Sequence, residues 1–393
     1  MPIVNRIADF AEDMKAWRRD IHKHPETAFE EERTADIVAE KLAGWGIEVH
    51  RGLATTGVVG LLKGNQDANR MIGLRADLDA LPMSEFNDFD HRSVHDGKMH
   101  ACGHDGHTTM LLGAARYLAE TRNFAGQVAF IFQPAEEQAG GGRVMVEEGL
   151  FEQFPVEGVY GLHNMPGIPA GEVAVRPGPM LAGSLTFEAK ITAKGAHAAM
   201  PHLGDDVIVL ASQVVGAWQT ITSRRLSPID NAVVSVTQFH SGEATNVLPE
   251  VAELKGSVRA FKEEVMEQVK AEMKLILEGH CAIHGAACEI DFLDGYPATV
   301  NQPRETGIAA DAAELVVGAE RVDRDATPVM GSEDFAYMLQ AKPGCYIFLG
   351  NGNESGPSSC TLHNPYYDFN DEILVVGASY WARLVESVLP KAA

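Results

Sequence analysis

The spacing of apolar residues changes several times along the chain, and each spacing predicts a different kind of element. Near the N-terminus apolar residues recur every three or four positions: Ile3, Ile7, Phe10, Met14, Trp17 and Ile21. This spacing places them on one face and predicts a single amphipathic helix. A second helix is predicted from about 31 to 43, because Gly44 and Gly46 follow it as stop signals.

Short runs that are apolar throughout predict buried strands. They cover residues 58–62, 71–74, 128–132, 159–162 and 345–350. The first two runs are joined by a short polar stretch, which predicts a hairpin. Several runs are followed by residue types that bind metals, and open α/β sheets hold ligands at the carboxyl ends of their strands. These runs therefore predict an α/β domain with a site at one edge of its sheet.

The middle of the chain has a different organisation. Its predicted elements are a strand at 185–193, a helix at 205–222, strands at 232–239 and 251–261, a helix at 263–282 and a strand at 286–293. This β-α-β-β-α-β order is the split βαβ arrangement of small ferredoxin-like domains. The sequence therefore predicts two domains: a larger α/β domain with a mixed central sheet at 1–183 and 296–393, and an α+β domain inserted at 184–295.

Charge and composition narrow the range of partners. The chain carries 32 basic and 55 acidic residues, a net charge of −23, with no basic cluster. This balance argues against nucleic acid or an anionic membrane as a partner. No apolar run approaches the roughly 20 residues of a membrane-spanning helix. Five scattered cysteines do not form a disulfide framework, so we expect a reducing compartment, the cytoplasm.

The stretch His100–His107 holds the densest chemistry of the chain. Its sequence is HACGHDGH, three histidines, a cysteine and an aspartate, and an apolar helix is predicted to begin near Thr108. A soft thiolate, imidazoles and a hard carboxylate together favour a transition-metal site. A helix N-terminus also lowers the pKa of a thiol. The alternative is a polar turn with a buried cysteine and a capping aspartate.

Pairs of carboxylates follow two of the predicted strands. Glu136 and Glu137 come after the run 128–132 and a proline. Neighbouring side chains diverge in irregular backbone, so one glutamate can bind metal while the other acts as a general base. Asp77 and Asp79 follow an earlier run. We expect Asp77 to orient a ligand histidine, whereas Asp79 is equally explained as a turn or helix cap.

Six motifs together resemble the M20 metallopeptidases, in particular their amidohydrolase branch of hippurate hydrolases, N-acyl-amino-acid amidohydrolases and auxin-conjugate hydrolases. In chain order they are HACGHDGH at 100–107, QPAEE at 133–137, GLHN at 161–164, GAHAAMPH at 195–202, GSEDF at 331–335 and LHNP at 362–365. The match spans nearly the whole chain, and the cysteine-bearing motif is specific for this branch. The resemblance implies that the inserted domain is a lid and dimerisation domain.

The resemblance also implies a metal site. Two divalent ions, Zn²⁺ or Mn²⁺, would bind to Cys102, His104, Glu137, His163 and His363. The sulfur of Cys102 would bridge the ions, and Glu136 would be the general base and acid. Many members of the wider family carry a ligand histidine two residues before the Asp77 position, where this chain has Arg75. Arginine stays protonated and cannot ligate, and the branch supplies Cys102 and His104 instead.

Residues of the inserted domain acquire roles by the same resemblance. His197 resembles the lid histidine that reaches the substrate oxyanion across a dimer interface, and His202 is a weaker candidate for that role. Asn246 and Arg259 resemble contacts for the substrate carboxylate, which suits the fixed fork of an arginine. The alternative for Arg259 is a charge on an edge strand. A homodimer is expected if His197 acts across subunits.

The implied function is metal-dependent hydrolysis of N-acyl or N-aroyl amino acids to a carboxylic acid and a free amino acid. Two alternatives stay open. One is a metallo-dipeptidase or aminopeptidase that acts on a free α-amino group, and the other is a non-catalytic protein that binds metal or ligand on the same scaffold. The presence of both Glu136 and Glu137 speaks against the last, because a binding protein has no need of a general base.

Overall fold

The computed structural model describes residues 4–293, 295–353 and 359–392. Its helices are α1 (Asn5–Ala8), α2 (Ala11–Lys23), α3 (Glu32–Gly44), α4 (His104–Thr121), α5 (Gly141–Glu147), α6 (Leu150–Gln153), α7 (Val207–Thr220), α8 (Glu263–Ile283), α9 (Pro303–Val317), α10 (Phe335–Ala341) and α11 (Leu374–Val388). Within the described residues, no helix combines the length and the apolar character that crossing a membrane requires.

Sixteen strands accompany these helices within the described residues. They are β1 (Glu48–Arg51), β2 (Val58–Lys63), β3 (Gln66–Asp77), β4 (Ala125–Gln133), β5 (Gly158–Pro166), β6 (Val173–Ala174), β7 (Gly178–Leu181), β8 (Gly183–Thr192), β9 (Ala196–His197), β10 (Ala232–Ser241), β11 (Val247–Leu248), β12 (Val251–Ala260), β13 (Ala287–Leu293), β14 (Thr299–Asn301), β15 (Val322–Asp323) and β16 (Gly344–Gly352).

The chain divides into two compact units. Unit 1 comprises residues 1–180, 300–327 and 334–393, and unit 2 comprises 181–299 and 328–333. The short segment 328–333 belongs to unit 2, although it lies within the stretch predicted for the larger domain. The predicted domain boundaries and the lid role of the inserted domain stay predictions, since compactness alone does not define a functional domain.

Unit 1 is built on an eight-stranded sheet in the order β1-β2-β4-β3-β5-β16-β6-β15. The central strands β4, β3, β5 and β16 run parallel to one another, whereas β1 and β2 run antiparallel to their neighbours. Helices α3, α4, α9 and α10 pack against these strands. Successive residues of β4 and β5 are buried, as expected when both faces of a sheet are covered. The mixed sheet confirms the predicted α/β class.

The predicted hairpin of β2 and β3 is wrong. Strand β4 lies between them, antiparallel to β2 and parallel to β3. Strand β4 is buried along nearly its whole length, so both of its edges and both of its faces need partners. The short polar link between β2 and β3 therefore spans one strand position instead of closing a tight turn.

The prediction of a single N-terminal helix is also wrong, because the structure has two helices there, α1 and α2. The chain leaves the helix at Asp9 and Phe10, where the amide of Phe10 donates to the carbonyl of Ile7 at 2.9 Å. Ile7, Phe10 and Met14 are all buried, so the predicted apolar face survives the break. Ile3, the first residue of that face, lies outside the described residues.

Unit 2 contains a four-stranded antiparallel sheet in the order β10-β12-β8-β13, with helices α7 and α8 packed on it. Buried residues alternate along β8, which is the pattern of a sheet with one face on a core. Helix α7 connects β8 to β10 across β12, and this is the split βαβ arrangement predicted from the sequence.

Candidate metal centre

The carboxyl ends of three neighbouring parallel strands of unit 1 meet at one edge of its sheet. Strand β3 ends at Asp77, β4 ends just before Glu136, and β5 carries His163 near its end. Helix α4 begins beside them at His104, after Gly103 in the left-handed region at φ 95°. A Cβ on Gly103 would collide with the side chain of Asn164, so glycine is required there.

All five residues predicted as metal ligands come together in unit 1. The sulfur of Cys102 lies 3.3 Å from Nε2 of His163. An oxygen of Glu137 lies 3.8 Å from Nε2 of His104 and 3.4 Å from Nε2 of His363. The donor atoms form two groups within 4.8 Å, Cys102–His104–His163 and Cys102–Glu137–His363. Cys102 belongs to both, which is the arrangement that a bridging ligand needs.

The two buried histidines of this cluster have their second ring nitrogens occupied. Nδ1 of His104 donates to the carbonyl of Asp79 at 2.9 Å, with a carboxylate oxygen of Asp79 at 3.2 Å. Nδ1 of His163 donates to the carbonyl of Asn164 at 2.6 Å. Such bonds fix the tautomer and leave Nε2 as a lone-pair donor toward a metal. Burial and the neighbouring imidazole of His107 lower the pKa of His163, which favours the neutral, metal-binding form.

Glu136 and Glu137 follow an unusual turn, and an oxygen of each lies within 4.8 Å of the other. Ala135 has φ 57°, a left-handed conformation that is rare for a residue with a side chain. The amide of Glu137 donates to Asp79 Oδ2 at 2.9 Å, and the amide of Asp334 faces Glu136 Oε1 at 3.4 Å. The carboxylate of Glu137 faces His104 and His363, whereas that of Glu136 faces the amide of Asp334. Their roles as ligand and base stay predictions.

His363 differs from the other members of the cluster because its side chain is 51% exposed. Its backbone, like that of Ala135, is in the left-handed region, at φ 60°. Its amide donates to the carbonyl of Ala101 at 2.8 Å, so the His363 loop is attached next to Cys102. Backbone strain of this kind is typical of functional sites, where the surrounding structure holds it.

Arg75 and Asp77 form a buried network behind the cluster. The guanidinium of Arg75 donates to Asp77 at 2.7 Å, to Gln133 at 2.8 Å and to Asp334 at 3.0 Å. Asp77 accepts from Nδ1 of His107 at 2.7 Å. Asp77 was expected to orient a ligand histidine, but its short hydrogen bond goes to a histidine outside the predicted ligand set. Asp79, in the irregular backbone just beyond the end of β3, makes the corresponding contact with His104.

The other two histidines of the HACGHDGH motif do not compete for metal. Both ring nitrogens of His107 are in use, since Nε2 accepts from the amide of Asn164 at 2.9 Å. His100 is fully buried, and burial lowers its pKa to about 3, so that it stays neutral. In the part of the chain that the structure describes, neither joins a donor group that contains Cys102.

The electrostatics of the centre favour cations. Burial raises the pKa of the Cys102 thiol, and the charges of Glu137 and Glu136 raise it further. Burial lowers the pKa of His104, but Asp77, Asp79 and Glu137 outweigh this and raise it to about 10. Among the described residues, buried Nε2 of His104 and Oε1 of Glu137 have no hydrogen-bond partner. Thiol, imidazole and carboxylate donors with unsatisfied atoms fit two divalent metal ions.

The remaining predicted residues lie in unit 2. His197 on β9 pairs with Val247 on β11, and the amide of Ala198 donates to the carbonyl of Asn246 at 3.0 Å. His197 and Asn246 are therefore neighbours, and both are exposed. His202 is also exposed, in a short helical turn at 201–203.

Arg259 is half-buried on β12, and its guanidinium donates to Ser332 Oγ at 2.8 Å. Burial lowers its pKa. The alternative of a charge on an edge strand is wrong, because β12 lies between β10 and β8. Arg259 thus has a defined polar partner in the interior of a sheet.

Asp79 and Asp334 are the residues whose importance the sequence did not reveal. Asp334 is fully buried and accepts from Arg75, from Gln133 at 2.8 Å and from the amide of Gly142 at 2.8 Å. It belongs to the GSEDF motif, so the motif itself was a usable signal. Asp79 had a weaker signal, its place two residues beyond the end of a buried strand.

Comparison with known proteins agrees with these features. The model of peptidase family M20/M25/M40 matches residues 73–387. The chain is 39% identical over 385 residues to hippurate hydrolase of Campylobacter jejuni, with 98% of each chain covered. It is also 39% identical over 386 residues to an IAA-amino acid hydrolase of Arabidopsis thaliana, with 97% of this chain and 87% of the relative covered.

A solved structure shares the fold across the whole chain. The YXEP protein of Bacillus subtilis, a dinuclear metal binding peptidase of the M20 family, superimposes with a TM-score of 0.85 at 34% identity. The comparison covers 98% of this chain and 100% of the other. The resemblance seen in the sequence motifs is thereby confirmed. The chain belongs to peptidase family M20/M25/M40, in its amidohydrolase branch, and it is a metal-dependent amidohydrolase.

Proposed function

We propose that the protein hydrolyses the amide bond of N-acyl or N-aroyl amino acids and releases a carboxylic acid and a free amino acid. The observation that carries this proposal is the convergence of Cys102, two buried imidazoles and Glu137 beside a second glutamate, Glu136, at one sheet edge. A relative that is 39% identical along the whole chain is a hippurate hydrolase, and hippurate is an N-aroyl amino acid.

We propose that two divalent ions would be held by five residues, Cys102, His104, Glu137, His163 and His363, and that Cys102, which belongs to both donor groups, would serve both ions. Zn²⁺ suits the thiolate and imidazoles, and Mn²⁺ is the alternative that the carboxylates allow. When bound, such a pair lowers the pKa of a shared water and polarises the substrate carbonyl. The protein positions the ligand atoms. Hydrogen bonds to Nδ1 of His104 and of His163 hold both rings with Nε2 toward the cluster.

Glu136 is the residue we assign as general base and acid. It is 6% exposed and follows the Ala135 turn, and an oxygen of its carboxylate lies within 4.8 Å of an oxygen of the ligand Glu137. It takes the proton of the attacking water as the carbonyl carbon is attacked. It then passes that proton to the amide nitrogen as the C–N bond breaks, so the amine leaves neutral.

Substrate recognition is assigned to residues of unit 2. Asn246 and Arg259 bind the carboxylate of the amino acid part, for which the guanidinium of Arg259 offers parallel donors. His197, in preference to His202, donates to the oxyanion that develops on the carbonyl oxygen. We propose that His197 acts across a homodimer and that the enzyme works in the cytoplasm, the compartment that five scattered cysteines favour.

A substrate panel tests the proposal. Enzyme with measured metal content is assayed with hippurate, N-acetyl amino acids and dipeptides that carry a free α-amino group. Turnover of the N-acylated compounds is expected. Cleavage confined to the free-amine dipeptides would assign a dipeptidase or aminopeptidase instead, and a metal-loaded protein without turnover on any compound would be a binding protein.

A further inference from the structure

Asp79 lies directly behind two of the assigned metal ligands. One oxygen of its carboxylate is 3.2 Å from Nδ1 of His104, and the other accepts from the backbone amide of Glu137 at 2.9 Å. Its side chain is buried, with 1% exposure. We propose that Asp79 is a positioning residue: its hydrogen bonds hold His104 and Glu137 in the orientation in which both can bind metal. The proposal rests on the ligand assignment of the proposed function.

The contact with His104 fixes the tautomer of its ring. Nδ1 also faces the backbone carbonyl of Asp79 at 2.9 Å, so two acceptors of one residue surround a single ring nitrogen. When the ring is neutral, its proton is therefore held on Nδ1, and Nε2 has the lone pair. Nε2 is buried without a hydrogen-bond partner in the described part of the chain, as expected of a donor reserved for a cation.

The contact with Glu137 holds a strained turn. Ala135 is in the left-handed region, a conformation that persists only where surrounding contacts impose it. The amide of Leu78 donates to the carbonyl of Gln133 at 2.8 Å, before the turn, and Asp79 accepts from Glu137 after it. Residues 78 and 79 therefore form hydrogen bonds to the two ends of the turn. Of these two residues, Asp79 also contacts the ring of His104 through its side chain.

A carboxylate is required for this double contact. Both of its oxygens accept, whereas the amide of asparagine offers one acceptor and one donor. Asparagine at position 79 can satisfy either Nδ1–H of His104 or the amide of Glu137, and its NH₂ group opposes the other donor. Asp77 cannot take over, because it is already bonded to His107 and Arg75.

Metal binding by the full-length Asp79→Asn variant tests the proposal. Metal-free wild type and variant are titrated with Zn²⁺ and with Mn²⁺ by calorimetry, and metal content is measured after dialysis. Loss of such a supporting contact weakens metal affinity by about 10- to 100-fold. The metal concentration that gives half-maximal activity should rise by the same factor, whereas KM at saturating metal stays unchanged. Wild-type affinity in a folded variant would overturn the proposal.

Glu31→Gln is the matched control. Glu31 is another buried carboxylate on the same turn, where it accepts from the amide of Ala135 at 2.9 Å and from Thr56 Oγ1 at 2.7 Å. Burial raises its pKa to about 7, with a further contribution from the charge of Asp79, so the neutral amide is a close mimic. Its metal affinity should equal that of wild type. An equal loss in both variants would assign the effect to the turn and overturn a specific role of Asp79.

A second measurement covers the case in which Asp79→Asn does not fold. In folded, metal-free wild type, ¹⁵N chemical shifts of histidine should show His104 protonated on Nδ1, with Nε2 unprotonated once the ring is neutral. A neutral ring protonated on Nε2 contradicts the proposal. Failure of the proposed function would be a different result. A wild type that binds metal but hydrolyses no N-acyl amino acid would contradict the proposed function, whereas the comparison of metal affinities would remain valid.

Discussion

The two units differ most in how many polar and charged side chains they bury. Nearly all buried polar or charged side chains of the described residues lie in unit 1, whereas in unit 2 they are Thr299 and Glu333. The core of unit 2 is instead a cluster of apolar residues around Phe187, Trp218 and Leu254. A buried polar group is costly unless it is hydrogen-bonded, so unit 1 must keep many such groups satisfied.

This difference separates two ways of presenting functional groups. Asp79 and His104 of unit 1 are buried and hydrogen-bonded, so their positions are set before any ligand arrives. His197 and Asn246 of unit 2 are exposed. We therefore expect substitutions at the unit 1 site to change metal content or proton transfer. Substitutions in unit 2 should change substrate binding or turnover and leave metal content as it is.

The largest effect is expected for Glu136→Gln, which removes the base and keeps the shape of the side chain. The kcat should fall by about 10²- to 10⁴-fold, the usual contribution of a general base, while metal content stays at the wild-type level. Glu137→Gln is the control, because the neighbouring glutamate should lose metal instead. Metal loss in Glu136→Gln, or near-wild-type turnover, would reverse the assignment within the pair.

His197→Ala tests the other side of the comparison. An oxyanion donor acts in the transition state, so kcat should fall by about 10²- to 10³-fold with little change in KM. Metal content should not change, since His197 belongs to unit 2. His202→Ala, five residues away on an exposed turn, should retain activity. A larger loss in His202→Ala than in His197→Ala would exchange their roles.

The sequence predicts the strand ends of unit 1 well, because parallel strands β3, β4 and β5 bring their carboxyl ends to one edge. It fails on the neighbours of β2, since strand pairing depends on contacts distant in the chain. It also favoured Asp77 over Asp79, because residue types do not reveal which of two neighbouring carboxylates lies beside His104 in the folded chain. The positive φ angles of Ala135 and His363 are imposed by tertiary contacts. Neither residue is a glycine, so the sequence does not indicate a left-handed conformation at either position.

Arg259→Met should give a smaller effect, confined to substrate binding. Loss of a charged hydrogen bond to the substrate carboxylate should raise KM by about 10- to 100-fold, with kcat and metal content less affected. Lys255→Met on the same strand is the control, since Lys255 pairs with Glu188 at 2.7 Å on the surface. Equal KM values for Arg259→Met and wild type would remove Arg259 from the substrate site.

The smallest effect concerns stability, and it follows from a buried charge network in unit 1. His22 is fully buried between Asp105, 2.8 Å from Nδ1, and Glu85, 3.3 Å from Nε2. Burial lowers the pKa of His22, but the two carboxylates outweigh this and raise it to about 9. Burial raises the pKa of both carboxyls, but their partners outweigh it and lower them, so both are ionised near neutral pH.

A histidine whose pKa is higher in the folded state stabilises the protein fully below its unfolded pKa, and this contribution is lost as pH rises through the folded pKa. Between pH of about 6.5 and 9, unit 1 should therefore lose about 1 kcal/mol of stability per pH unit. Above that range the neutral imidazole of His22 donates one hydrogen bond, to either Asp105 or Glu85. The other carboxylate then has no hydrogen bond from the ring.

Calorimetry or hydrogen exchange from pH 6 to 10 checks this on wild type and His22→Gln at equal metal saturation. Because metal binding itself depends on pH, the difference between the two proteins isolates the contribution of His22. The difference should be largest at low pH and shrink toward pH 10, in peptides of unit 1, where the network lies. Peptides of unit 2, whose buried residues are almost all apolar, should show the same protection in both proteins. A pH-independent difference would mean that His22 is held neutral, and the contrast in buried charge would then have no consequence for stability at this position.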